Sequence, residues 1–494
     1  MVVPRQGRRE CSYLEGTGAT EDAVLGASSA ARRHSARFAK ASWEASAPIL
    51  VRGMRSRVFW RRSATAGGVY ASALLGFGAT IVAARSLSKT EFGLLGVVLA
   101  ATGFFQLFAD LTVDEALIKY GFRYVGTSRW GRLRQLFRVG LSLKIAGGLI
   151  GAACLAVLAV FAHAIFGQKG LALPILVASL LPLAQAPEGV AAAVLVVRRR
   201  YDVRAGFLVV SMALRLAALA LGAPHGVTAA VTAIVIAQVV ATAAIGVAAW
   251  VAVRRYPAGA REPLAEDRKP FRSFVVRSSI GSVLSPMRGI LGTLLVGIVT
   301  GPLQVAYFRV AQAPQNAFAA LSSPARLVLL SEQTHQVESG RTDLLYRMLR
   351  RYVMGTTAAM VVLVPPLLWL TPWFIRLAYK DKNGVAYLGA TDAMRLMLVV
   401  GAIQVVWGWT KSYPVSIGRP ELRIVAQSLE IVALIPLLIV LASLYGATGA
   451  AAAFLVASVV FAAVWTVIVL RLRKEPGGIV SAAPELVAPD PLLP

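Results

Sequence analysis

Cysteine is almost missing from this chain: Cys11 and Cys154 are the only two in 494 residues. Two thiols so placed make neither a disulfide framework nor a metal site. Histidine is as sparse, and His34, His163, His225 and His335 stand at no ligand spacing. There is no phosphate-binding glycine loop, no nucleophile elbow and no zinc motif. The common NTPase, hydrolase and metalloenzyme classes fall away, and neither a cofactor nor a metal is expected. Acids are also in short supply, 24 Asp and Glu against 51 Lys and Arg, for a net charge of +27. Ten-residue segments of alternating polarity, the mark of an outer-membrane barrel, do not occur.

What is abundant is apolar sequence. Hydrophobic residues make up 57% of the chain, and the mean hydropathy is +0.66. They come in uncharged runs long enough to cross a bilayer, for which roughly 20 residues suffice. The fold class is therefore an all-α polytopic membrane protein. In a soluble protein the net charge would point to nucleic acid. Here the Lys and Arg sit in short loops, so no nucleic-acid partner is expected and the charge reads as topology.

The expected spans are 64–84, 92–113, 137–162, 171–196, 205–221, 227–253, 273–299, 303–328, 348–373, 386–411, 422–444 and 447–470, about twelve in all. Alternate loops carry about 30 against about six basic residues, which places both termini in the cytoplasm. Residues 1–57 read as a disordered basic extension without an apolar core of signal-peptide length, or as sequence upstream of a start at Met54. The Pro-rich tail 475–494 reads as disordered. Between them lie a first lobe at 58–256, a linker at 257–272 and a second lobe at 273–474.

The lobes read as a repeat. Arg200-Tyr201-Asp202-Val203-Arg204 opens the fifth span and Arg419-Pro420-Glu421-Leu422-Arg423 the eleventh. His225-Gly226-Val227-Thr228-Ala229-Ala230 begins the sixth, and Gly446-Ala447-Thr448-Gly449-Ala450-Ala451 holds the matching place in the twelfth. Six spans per lobe give both lobes one orientation. That implies a pseudo-two-fold axis along the membrane normal and a site between the lobes.

The stretch Phe274–Thr300 is the most informative. It is long enough to span, yet it holds Pro286 and Arg288 near its middle. Such residues persist at membrane depth only beside protein or a hydrated cavity. On a helix, Gly281, Ser285, Arg288 and Gly292 share one small, polar face.

The first hairpin, Ile81-Val82-Ala83-Ala84-Arg85-Ser86-Leu87-Ser88-Lys89-Thr90-Glu91-Phe92-Gly93-Leu94, is followed by Leu107-Phe108-Ala109-Asp110-Leu111 and Ala116-Leu117-Ile118-Lys119-Tyr120. This resembles the opening of the polysaccharide flippases of the MOP superfamily. Leu295-Val296-Gly297, Val305-Ala306-Tyr307-Phe308-Arg309-Val310-Ala311, Pro314 and Leu321-Ser322-Ser323-Pro324 resemble that family's seventh and eighth spans. Leu111-Thr112-Val113 departs from it, lacking the glycine that often follows the leucine. The resemblance covers roughly 60–470 and implies a MATE-like two-lobe bundle. It further implies a flippase, not an enzyme, that moves a polyprenyl-diphosphate-linked oligosaccharide to the outer leaflet of a bacterial inner membrane for lipopolysaccharide or exopolysaccharide export. Partners would be that lipid, membrane lipids and glycan polymerase machinery.

Within such a cavity the mid-span charges acquire roles. Arg288 could give bidentate bonds to a diphosphate, or pair with a carboxylate of the other lobe. Arg309, with Gln312 and Asn316 at i+3 and i+7, could line the same cavity, or snorkel to the surface. Arg215 could supply a cation from the first lobe. Arg395, with Asp392 at i−3, reads mainly as a local pair. Glu188 and Glu430 are candidates for ion coupling or for pairing with a cavity arginine. Asp110, Asp114 and Glu115 read as loop salt bridges and Lys411 as an interfacial anchor. The rival readings are a cation-coupled multidrug exporter of the same fold, an integral glycan polymerase or ligase, and a scaffold subunit. The short outer loops leave little room for an enzyme's catalytic groups.

Overall fold

The computed structural model describes residues 57–474, apart from 110–112, 169, 261, 265–266, 340–341 and 420. The expected disordered extensions, the start at Met54 and Asp110 lie outside the described residues. Among those residues the chain is helical, and Lys380 and Ala386 form an isolated bridge. The first half comprises α1 (Arg57–Ser86), α2 (Lys89–Ala109), α3 (Val113–Gly126), α4 (Trp130–Phe166), α5 (Ala172–Ala178), α6 (Leu180–Val197), α7 (Tyr201–Gly222) and α8 (Val227–Arg254). The second comprises α9 (Arg268–Thr300), α10 (Pro302–Ala311), α11 (Ala313–Leu321), α12 (Ser323–Glu338), α13 (Thr342–Ala378), α14 (Thr391–Val406), α15 (Tyr413–Ser416) and α16 (Glu421–Lys474).

Nine helices of the described residues have the length and composition to cross a bilayer. One of them, α16, is two helices joined at Gly446 (φ 59°, ψ −133°). With α9 and the broken helix α10–α12, the spans reach the expected twelve. Several boundaries differ from expectation. The second span ends at Ala109 rather than 113, and α3 follows as a separate amphipathic helix. Its buried residues Val113, Ala116, Leu117, Tyr120 and Tyr124 recur at helical spacing, while Lys119 and Arg123 stay exposed. A reading based on charge density takes this stretch for a basic loop. The eighth span runs on to Glu338 in three pieces, with Pro314 and Pro324 in the opening turns of the second and third. The tenth is shorter than expected, because α14 gives way to a 3-10 turn at Gly408–Lys411.

The two halves repeat their turns. Gly226 (φ 99°, ψ 179°) caps the start of α8, and Gly446 takes positive φ at the equivalent bend of α16. Gly301 (φ 86°, ψ 177°) turns α9 into α10. A β-carbon is disfavoured in these conformations, which is why glycine stands there. In the first half α8 packs on α6 and α7, and α4 on α6; in the second, α16 packs on α9 and α14, and α14 on α11 and α13. The halves meet mainly where α2 lies against α9 and α10.

At the end of the bundle holding the α1–α2 turn, a seam binds the halves. Arg85 donates to the carbonyls of Ala378 (Nε, 3.0 Å) and Leu377 (Nη2, 2.5 Å). Lys382 Nζ pairs with Glu91 at 3.0 Å, and Tyr387 donates to the Ala84 carbonyl at 3.2 Å. Glu91 also accepts from the Ser88 amide at 2.8 Å, closing a capping box on α2 with Ser88 Oγ. At the opposite end the linker is bound within the first half. Arg132 pairs with Glu262 at 3.0 Å, and Tyr124 donates to Asp267 at 2.7 Å. Burial, then this Asp267 contact, raises the Tyr124 phenol above its usual range.

Gly93 of α2 faces the Pro302 main chain so closely that a β-carbon has no room. Backbone cannot swing aside as a side chain can. Gly93→Ala should therefore cost about 1–3 kcal/mol of overpacking. Gly246→Ala, with open space around it, should be neutral or stabilising by up to about 1 kcal/mol of helix propensity. Thermal unfolding of the purified protein compares the two.

Candidate functional site

Pro286 and Arg288 sit mid-way along α9, where it runs beside α16. Arg288 Nη1 pairs with Glu430 of α16, and Nη2 donates to Ser458 at 2.9 Å. Turned with its oxygen toward these donors, the Gln404 amide accepts from Nη1 at 3.0 Å, Nη2 at 3.1 Å and Gln315 Nε2 at 2.8 Å. The guanidinium lies 5.0 Å from the Phe454 ring centre. The pairing alternative raised for Arg288 is thus present, but its carboxylate comes from the same half of the chain. The small face expected to look into a cavity packs partly on α16, with Gly292 against Phe454. The surroundings of Gly281 and the side chain of Ser285 lie outside what is described.

Around this pair is a cavity of about 260 Å³ lined by Arg288, Gln315, Asn316, Gln404, Trp407, Lys411, Arg423, Gln427 and Glu430, among others. Pro286, Gly289, Gln315 and Asn316 also line a second cavity of about 290 Å³, which reaches Gln312 and Arg309 and is walled by α2 at Gly96, Leu99 and Ala100. Arg309 in turn borders a third, of about 210 Å³, together with Arg215. The shared lining makes one polar track across the interface of the halves. Among the described residues it carries Arg288, Arg309, Arg215, Lys411 and Arg423 against a single lining carboxylate, Glu430. A guanidinium is a planar fork whose geometry matches carboxylate and phosphate oxygens.

Arg309 does not snorkel. Its Nη1 is buried without a hydrogen-bond partner, its guanidinium lies 5.4 Å from the Phe92 ring centre, and its stem fits against Gly96, whose missing β-carbon makes the room. Gln312 and Asn316 lie along the same wall, as their spacing implies. Arg395 stands apart from the three cavities, pairing with Asp392 at 3.1 Å and donating to the Leu368 carbonyl at 3.3 Å.

Glu188 belongs to a different place, inside the first half. It accepts from Gln238 at 2.7 Å and borders a cavity of about 210 Å³ with Gln106, Asp114, Lys144, Gln185 and Arg204. Asp114 pairs with the buried Lys144 of α4 at 3.1 Å. This corrects the reading of Asp114 as part of a loop salt bridge: α3 turns it into the helical bundle. Lys411, read as an anchor, lines the Arg288 cavity. Sequence reasoning passed over Lys144, Gln315, Gln404 and Arg423. Lys144 and Gln404 each interrupt an apolar run, and that interruption was the available signal.

The fold has solved counterparts. A lipid II flippase MurJ in an inward closed conformation superposes with TM-score 0.64 at 13% identity, over 82% of this chain and 87% of that one. A multidrug resistance MATE family transporter of the MOP superfamily, inward-facing, gives 0.66 at 15%, over 82% and 96%. A MOP superfamily transporter from Pyrococcus furiosus, described as having a binding pocket of reversed polarity, gives 0.57 at 14%, over 85% and 96%. These likenesses show the fold. Among curated proteins no sequence matches. The sequence profile of the polysaccharide biosynthesis protein family matches residues 63–329, more than half of the chain, and the protein belongs to that family.

Proposed function

We propose that the protein flips a polyprenyl-diphosphate-linked oligosaccharide across the bacterial inner membrane. The observation that carries this reading is the cationic track between the halves. An anion with a large polar head group cannot cross hydrocarbon unaided, and a multidrug exporter of cations would need the opposite lining. The diphosphate would travel past Arg288, Gln315, Asn316 and Gln312 to Arg309, with Arg215 beyond it, while the lipid tail stays in the bilayer. Arg395, paired locally and remote from the track, is the weakest of the sequence candidates. Glu430 holds Arg288 in place until substrate competes for it.

In the orientation drawn from the loop charges, the linker end is cytoplasmic and the α1–α2 turn faces outward. The seam of Arg85, Glu91, Lys382 and Tyr387 then closes the outer side, and loading occurs from within. An inside-negative potential would favour outward movement of each negative charge by about 2.3 kcal/mol per 100 mV.

The test is translocation of a polyprenyl-diphosphate oligosaccharide in liposomes holding the purified protein. Arg288→Ala alone strands a buried carboxylate, and such losses cost about 3–5 kcal/mol. The informative variant is the pair Arg288→Met with Glu430→Leu, since replacing both partners of a buried ion pair by apolar residues should be near neutral for stability, which thermal unfolding checks. It should lose flipping if Arg288 touches the diphosphate, and keep it if the pair is only structural. Arg309→Gln should lose flipping outright. Absence of any protein-dependent movement, with extrusion of a cationic dye instead, would reject the flippase.

The seam gives a second outcome. Lys382→Ala removes one ion pair, worth about 0.2–1 kcal/mol where partly exposed, and should raise the outward-open population severalfold at most. With Cys11 and Cys154 replaced by Ser, labelling of Thr80→Cys by a membrane-impermeant thiol reagent from outside reads that shift. An unchanged rate would remove the seam from gating.

A further inference from the structure

The tenth span breaks at its end away from the seam. After α14 the chain makes the 3-10 turn Gly408–Lys411 and then the short helix α15. There the Thr410 amide donates to the Trp407 carbonyl at 3.0 Å and the Ser412 amide to the Trp409 carbonyl at 3.2 Å, three residues back rather than four. Tyr352 of α13 donates to the Val405 carbonyl at 2.9 Å, the acceptor that the Trp409 amide would take in an unbroken α-helix. The turn serves two surroundings. Trp407, Thr410 and Lys411 line the Arg288 cavity. Trp409 is instead buried in a core with Tyr413 of α15 and Trp465 of α16, its ring centre 5.5 and 5.9 Å from theirs. Leu329 and Val337 of α12 belong to that core. Gln333 lies four residues from each, on the same helix face.

This core is short of hydrogen-bond partners. Gln333 is fully buried, and neither its amide nitrogen nor its oxygen has a partner among the described residues. The same holds for the indole N–H groups of Trp409 and Trp465. The hydroxyls of Tyr346 and Tyr413 approach each other without hydrogen-bond geometry. Buried polar groups are nearly always bonded, and each one left over is costly. An acceptor and its matching donors thus stand in one cluster without meeting.

We propose that residues 407–412 form a two-position switch in the wall of the Arg288 cavity. In the position seen here Tyr352 holds the turn unwound. In the other, the segment winds on from α14 as α-helix, and the Trp409 indole donates to the Gln333 oxygen. A 3-10 turn advances about 120° per residue and an α-helix about 100°, so rewinding four residues swings their side chains by up to about 80°. Thr410 and Lys411 then move along the cavity wall as Trp409 moves in the core. The shape of the cavity and the pairing of a buried amide are thereby linked, whatever the cavity carries.

Hydrogen–deuterium exchange of the purified protein in nanodiscs tests this without transport, with thermal unfolding beside it. In the wild type the amides of 408–412 should exchange at least tenfold faster than those of α14, because the turn opens in passing between positions. Tyr352→Phe removes the brace on Val405 and should slow that exchange at least threefold by populating the wound position. Adding either Gln333→Leu or Trp409→Phe should cancel the slowing, because one partner of the new bond is gone. Gln333→Leu alone should raise Tm, since it removes an unpaired amide from the position seen here. A turn with a structural role only would loosen in Tyr352→Phe and exchange faster, and that result would overturn the switch. So would a slowing that persists in both combined variants, or a lower Tm in Gln333→Leu, which would show the amide to be bonded through water. Protection of 408–412 equal to that of α14 in the wild type would overturn it with no variant needing to fold. A failed flipping assay would leave each of these outcomes as it stands.

Discussion

A guanidinium inside a bundle of apolar helices must be neutralised by a carboxylate, hydrated, or met by an anion from elsewhere. Most of the polar architecture here follows from how each buried arginine meets that constraint. Arg288 meets it with an internal carboxylate: Glu430, Ser458 and Gln404 take its Nη donors, its Nε stays buried without a hydrogen-bond partner, and Phe454 supplies a ring beside it. Gln315 is drawn into the network through Gln404 and so orders the wall of α11. Arg309 and Arg215 meet it differently, since no carboxylate lines their cavity. The contrast divides the track into a region with a carboxylate of its own and one without.

The acids are placed with the same economy. Among the described residues Glu430 is the single carboxylate lining the three cavities of the track, and it is committed to Arg288. The acids of the first half, Asp114 and Glu188, border a separate cavity with Lys144 and Arg204, so that space has cations and carboxylates in equal number. The inter-half track is left with a surplus of positive charge, which agrees with a family whose work concerns polysaccharide biosynthesis.

The gross design was legible in sequence because a bilayer demands long apolar runs and because basic residues gather in particular loops. Span number follows from such patterns, whereas the repeat of Gly226 and Gly446 and the family resemblance rest on short local motifs. The placing of Arg309, Gln312 and Asn316 on one wall followed from helical spacing alone. What spacing could not supply was the partner across the bundle. Glu430 lies 142 residues from Arg288, and Lys144 meets Asp114 only because α3 folds back as an amphipathic helix. The charges of that helix mask an apolar face whose residues recur in phase at Val113, Ala116, Leu117, Tyr120 and Tyr124. Breaks inside a span, such as those before Pro314 and Pro324, shift boundaries in ways that hydropathy does not register.

The helix α9 belongs to both halves at once. Its opening residues Phe271 and Val275 are buried in the same apolar cluster as Tyr120, Tyr124, Leu133 and Tyr256 of the first half, whereas Arg288 and Gly292 are packed on α16 of the second. Pro286 stands between these attachments, and a proline gives no N–H to the carbonyl four residues before it. The halves are thus joined by a continuous rod with one rung missing. If they rock, the strain is concentrated at that rung, where a bend breaks one hydrogen bond fewer than elsewhere along α9. The arginine two residues further on would then swing with the far arm, so that flexure of the backbone and exposure of a charge become one movement.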